Sequence, residues 1–227
     1  LFLSLLDGET VRESCLGKEG LIEILNAGAM VVDLVTSPVA LARDLDSRFR
    51  EHDVLFSDAP VARTRAAAEA GTLSIMVGAE SRVFNTLEPL LRMMGEEISH
   101  CGTVGSGQLV KIMNNMVLFQ TVSALAEALA IGRGAGIDPA VMFSALSKGS
   151  ADSFALRNHG MKAMLLDSFP EDAFSTSYAM KDLNYALELA RDVGFEALGA
   201  QLVQDRFRQA TDAGFHDSYF PVVSRVI

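Results

Sequence analysis

The chain has 227 residues, 49% of them hydrophobic, enough for one large domain or two modest ones around a sizeable core. Lys plus Arg number 19 against 29 Asp plus Glu, and the net charge of −10 argues against nucleic-acid binding. Two cysteines, Cys15 and Cys101, build no disulfide framework, and a reducing cytoplasm is the expected compartment.

Short β-like runs and helical runs alternate through the first part of the chain. Residues 1–6 read as a buried strand and 19–25 as a short helix closed by Gly28. Residues 30–34 read as a second, Val-rich strand. Residues 37–50 read as a helix with Ser37 as N-cap and Pro38 in its first position. Residues 54–57 read as a strand, 63–70 as an Ala-rich helix ended by Gly71, 73–77 as a strand, 80–94 as a helix and 97–101 as a last short strand. Such alternation predicts an α/β layered sheet, at least partly parallel. From Gly107 onward the strand signals stop. Helical patterns cover 107–133, 138–148, 152–166, 177–193 and 197–213, with Asp138-Pro139 a good helix start and Gly149 a good stop.

No stretch supplies the roughly 20 apolar residues of a membrane span. The most apolar run, 116–131, is broken by Gln120, Thr121, Ser123 and Glu127. No signal peptide is evident, and the chain opens on Leu1 inside an apolar run, as a fragment or processed chain does. The four histidines, His52, His100, His159 and His216, lack metal-ligand spacing, so no metal site is expected.

Lys111 is the most informative residue. It is the only charge in the first turns of an apolar helix, and burying an unpaired ammonium is costly. Asn114 and Asn115 lie three and four residues on, so both amides share its side of the helix. An amine in that setting can exchange a proton with a substrate oxygen and orient it. Gly105 and Gly107 just before it let another backbone or a ligand come close. A snorkelling lysine with two surface amides is the plain alternative. Ligands of layered α/β sheets gather beyond the carboxyl ends of the strands, which here are 33–36 and 57–64.

Four motifs in order resemble the β-hydroxyacid dehydrogenases, the group that includes 3-hydroxyisobutyrate dehydrogenase and the tartronate semialdehyde reductases. Val31-Val32-Asp33-Leu34-Val35-Thr36 is similar to the strand whose last Ser/Thr lies by the nicotinamide. Asp58-Ala59-Pro60-Val61, with Ala70-Gly71-Thr72-Leu73 and Met76-Val77-Gly78 after it, is similar to the substrate segment. Gly105-x-Gly107-x-x-x-Lys111-x-x-Asn114-Asn115 is similar to the catalytic segment, and Lys181-Asp182-Leu183 with Ala186-Leu187 to the lysine-containing cofactor segment. The similarity covers essentially the whole chain.

The resemblance implies an incomplete Rossmann-type sheet domain over 1–106 and an all-helical substrate and oligomerisation domain over 107–227. It implies an NAD- or NADP-dependent oxidoreductase that interconverts a small anionic hydroxyacid and its semialdehyde or ketone, working as a cytoplasmic homo-oligomer. Lys111 and Asn115 are then catalytic. Pro60, Val61, Ala62, Arg63, Thr64, Asn114 and Ser153 line the substrate, and Thr36, Lys181 and Asp182 the cofactor. The family's opening G-x-G-x-x-G is not found. Gly132-Arg133-Gly134-Ala135-Gly136 follows a long helix rather than a strand and cannot replace it. Many members carry Ser-Gly-Gly after Asp-Ala-Pro-Val, where this chain has Ala62-Arg63-Thr64. Arg63 suits a carboxylate, sulfonate or phosphate, and the nearest pattern is that of the sulfolactaldehyde reductases. A solvated helix charge is the bland reading of Arg63. A truncated, non-catalytic module that binds an anion or serves oligomerisation is the competing function.

Overall fold

The computed structural model describes residues 1–227. The chain divides into two compact units, Leu1–Met113 and Asn114–Ile227.

The first unit is a sheet with helices. In chain order it contains β1 (Phe2–Leu3), α1 (Gly8–Leu16), α2 (Leu21–Ile24), β2 (Met30–Asp33), α3 (Val39–Arg50) and β3 (Leu55–Asp58). Then come β4 (Val61–Ala62), α4 (Arg65–Glu69), β5 (Leu73–Gly78), α5 (Ser81–Leu91), β6 (Gly95–Gly102) and the start of α6 (Ser106–Gly134). β1, β2 and β3 are parallel neighbours, and β5 and β6 pair in parallel. Between the two blocks the direction reverses. Asp58 stands opposite Gly78, Val61 opposite Ile75 and Ala62 opposite Ser74, all antiparallel, with Met76 N–H donating to Pro60 O at 3.1 Å. Asp58 and Pro60–Ala62 of the predicted substrate segment therefore run antiparallel along β5.

Successive side chains of β2 face opposite sides, as the two-residue strand period requires. Val31 joins a core with Leu3, Val11, Leu45, Phe49 and Phe56. Val32 joins the other core, with Ile75, Val77, Val83, Leu87 and Leu91. α1 was not expected. Its N-cap is Asp7, which accepts from Thr10 N–H at 2.8 Å, and Val11 and Cys15 are buried. Asp7 beside Thr10 is a legible start signal, masked by the apolar run before it. Ser37 is not the N-cap of α3. The cap position is Pro38, and the Ser37 hydroxyl turns instead to Asp33.

The second unit is helical. It holds the rest of α6, then α7 (Pro139–Leu146), a π-helix (Leu156–Met164), α8 (Thr176–Asp192), α9 (Leu198–Asp212) and a terminal 3₁₀ turn (Phe220–Arg225). Asp138 caps α7 by accepting from Ala140 and Val141 N–H, as the Asp-Pro start predicts. Around Phe119 the rings of Phe174, Phe207 and Phe220 pack at centroid distances of 5.9, 5.5 and 5.2 Å. By length and composition α6 is long and apolar enough to cross a membrane. Its Phe119, Val122, Leu125, Ala126 and Leu129 are core residues of this unit, while Val117 and Ile131 are exposed. α6 ends at Gly134 within the glycine cluster set aside above.

Candidate active site

Two buried carboxylates organise the start of α6. β2 ends on Asp33 and β3 on Asp58, opposite one another in register and both fully buried. Asp58 Oδ1 accepts from Gly105 N–H and Oδ2 from Gln108 N–H, each at 2.7 Å. A helix start leaves such N–H groups without intrahelical partners, so Asp58 caps α6 from another element, its charge facing the positive end of the helix dipole. Burial raises its pKa to about 6 against the pull of those N–H donors.

Asp33 accepts from Val35 N–H at 2.9 Å, from the Ser37 hydroxyl at 3.2 Å and from Gln108 Nε2 at 3.4 Å. Burial pushes its pKa up to about 7, with Val35 and Ser37 pulling down and the Asp58 charge adding to the rise. Gln108, also fully buried, completes the knot. Its Oε1 accepts from Ser37 N–H at 2.9 Å and its Nε2 donates to Val35 O at 2.6 Å.

The two glycines of the predicted catalytic segment serve the backbone. A Cβ on Gly107 would lie 2.3 Å from Met76 O, and 2.8 Å from both Gly78 N and Asp58 Oδ2. Only glycine lets α6 start this close to β5. Gly105 has φ +90, a region costly for other residues. Lys111 follows Gln108 by one turn and is 8% exposed. The first turns of α6 are thus fixed, and a mostly buried amine is mounted on them.

In the second unit a polar chain begins one turn beyond Lys111. Asn114 Nδ2 donates to Asn115 Oδ1 at 3.0 Å, and Asn115 Nδ2 to Asp182 Oδ2 at 2.7 Å. Asp182 Oδ1 pairs with Lys181 Nζ at 2.9 Å. That ammonium also lies 5.1 Å from the ring centroids of Tyr178 and Tyr185. Asn115 and Asp182 are buried, so their charge-assisted contact fixes the Asn115 amide. Asn115, Lys181 and Asp182, drawn from two separate motifs, form one cluster.

The substrate candidates divide. Pro60, Val61 and Ala62 are held by pairing along β5. Thr64 is the N-cap of α4, accepting from Ala67 N–H at 3.4 Å. Arg63 has φ +86, a backbone region that favours glycine. Its Nη1 donates to Thr72 O at 2.6 Å and lies 3.6 Å from Glu96 Oε2. The guanidinium thus braces the backbone at Thr72, beside the Glu96 carboxylate. Ser153 Oγ accepts from Leu156 N–H at 3.0 Å at the start of the π-helix. Thr36 is half-buried in the loop after β2, and Asn114 is exposed. Sequence reasoning left Asp33 and Gln108 without a role and gave Asp58 only a motif. The available signal was an Asp ending each of two apolar strands.

The chain resembles known proteins along its whole length. Residues 1–103 match the NAD-binding domain of 6-phosphogluconate dehydrogenase, and residues 105–227 match the family described as NAD-binding of NADP-dependent 3-hydroxyisobutyrate dehydrogenase. An oxidoreductase of Bacillus subtilis is 33% identical over 208 residues, covering 92% of this chain and 72% of the relative. The 2-(hydroxymethyl)glutarate dehydrogenase of Eubacterium barkeri is 33% identical over 192 residues, covering 85% of this chain and 64% of that enzyme. Among solved structures, a Mycobacterium tuberculosis 3-hydroxyisobutyrate dehydrogenase with L-serine superposes with a TM-score of 0.88 at 27% identity, covering 99% of this chain and 78% of that one. With both family models matched and the motif residues placed on one sheet unit and one helical unit, the chain belongs to the β-hydroxyacid dehydrogenase family.

Proposed function

We propose that the chain carries the catalytic residues for interconverting a small β-hydroxyacid and its semialdehyde or ketone with NAD or NADP, Lys111 exchanging the proton. The observation that carries this reading is a mostly buried lysine, one turn beyond a helix start that two buried carboxylates and a glutamine hold in place. The residues present fit the nicotinamide end of such a cofactor. β2 and β3 are parallel, and the carboxyl end of β2 leads into the 34–37 loop with its half-buried Thr36; dinucleotides lie beyond the carboxyl ends of strands in sheets of this kind. A bound nicotinamide would supply the hydride acceptor in oxidation and the hydride donor in reduction. In oxidation, the Lys111 amine takes the hydroxyl proton as the carbonyl forms. In reduction, its ammonium gives that proton back to the oxygen. Asn115, oriented by Asp182, holds the oxygen or the amine. Asn114, exposed beside it, offers an amide to the substrate carboxylate. Lys181, paired with Asp182 and braced by two tyrosines, is the helical unit's candidate for a cofactor contact.

The test is a panel of small β-hydroxyacids assayed with NAD and NADP, using active protein that contains these residues. Turnover of at least one acid, lost on Lys111→Ala while the fold persists, supports the reading. A panel without turnover, or turnover indifferent to Lys111, contradicts it.

A further inference from the structure

Gln108 touches two segments for which the proposed function has separate uses. Its side chain grips the loop after β2, accepting from Ser37 N–H and donating to Val35 O, so it brackets Thr36 on both sides. Its backbone N–H is held by Asp58 in the first turn of α6, three residues before Lys111. Every one of these groups is buried, so water cannot replace a lost partner. The amide cannot shift without unpairing Ser37, Val35 or Asp33. Its own position on the helix is fixed through Asp58 and the glycine contact at Gly107.

We infer that Gln108 is a positioning residue that locks the 34–37 loop to the Lys111 turn of α6, so that the two move as one body. Gln108 reaches substrate only through the residues it holds. A side chain with both an acceptor and a donor is needed, because one partner is an N–H and the other a carbonyl. An apolar residue of equal length keeps the packing and loses the lock. The inference rests on the proposed function only for its catalytic consequence. The mechanical coupling stands on the hydrogen bonds alone.

The experiment is amide hydrogen exchange on the ligand-free protein, comparing wild type with Gln108→Met. Exchange should quicken together at residues 35–37 and 105–111, by about tenfold or more, while β5 keeps its protection. A core variant, Phe49→Leu, controls for general loosening and should not single out those two segments. In active protein the same Gln108→Met should lose about ten- to a hundredfold in kcat, with KM within about threefold, as misplacement of a reacting group does. Quickening of one segment only, uniform quickening, or unchanged exchange overturns the inference. Should Gln108→Met not fold, Gln108→Asn carries the same comparison, since its amide is too short to reach both partners. If Lys111→Ala proves active while the two segments still loosen together, the functional reading falls and the coupling stands.

Discussion

Gly107→Ala tests the tight seating of α6 with an outcome whose sign decides. On propensity alone, alanine for glycine inside a helix stabilises by up to about 1 kcal/mol. Here the added Cβ would meet Met76 O at 2.3 Å and Gly78 N at 2.8 Å, both backbone atoms of a paired strand. The helix start must lift, and the two 2.7 Å bonds from Gly105 and Gln108 to Asp58 lengthen or break. Hydrogen bonds to a charged group contribute about 1.5–3 kcal/mol each, so losing both costs roughly 3–6. Offset by propensity, the expected destabilisation is about 2–5 kcal/mol. Urea unfolding followed by circular dichroism, with the transition resolved for each unit, measures it. A variant as stable as wild type, or more stable, would refute the close approach and with it the fixed start of α6.

Three further outcomes follow from the geometry. The raised pKa values of Asp33, about 7, and Asp58, about 6, mean their folded forms hold protons that the unfolded chain has released. The first unit should therefore gain stability as pH falls from about 7 to 4, with Asp33 contributing up to about 4 kcal/mol. Buried His159, lowered to about 4, acts oppositely, so the second unit should lose up to about 3 kcal/mol between pH 6.5 and 4. Native-state hydrogen exchange across that range should show diverging trends, and parallel trends would contradict both assignments. At position 63, glycine should be more stable than alanine by about 1 kcal/mol in thermal unfolding, since φ is +86 and neither keeps the bond to Thr72. Equal melting points would mean that this backbone is not strained. Phe119→Ala, which vacates the centre of four packed rings, should cost about 3–5 kcal/mol in denaturant unfolding. A loss under about 1 kcal/mol would show that the surrounding rings collapse into the gap.

The strand–helix alternation was legible because buried strands read as short Val- and Leu-rich runs bounded by Gly and Pro. Lys111 stood out because an isolated charge on an apolar helix is conspicuous. What stayed hidden depends on partners distant in sequence. Gln108 reads as an ordinary polar residue until Ser37, 71 positions away, is seen to donate to it. Asp58 looked like a motif letter, and its role as the cap of α6 exists only once β3 and α6 meet. The antiparallel turn of the chain at Pro60 left no periodic signal, because Val61–Ala62 is too short to show one. The π-helix at Leu156–Met164 falls in a segment read as a plain helix, since the i→i+5 pattern has no local signature in composition. Arg63 was the hardest, because its charge suggested an anion while its positive φ and its bond to Thr72 reveal a brace at a glycine position.

The central claim is that Lys111 moves the proton. Its most direct test is kcat for Lys111→Ala in active protein containing this chain, with an oxidisable β-hydroxyacid, saturating nicotinamide cofactor and circular dichroism confirming an unchanged fold. The account predicts a fall of about 10²–10⁴-fold, the usual worth of a positioned general acid–base group, with cofactor affinity little altered. Retention of more than about a tenth of wild-type kcat would contradict it, since no general acid–base contribution of that size could then belong to Lys111.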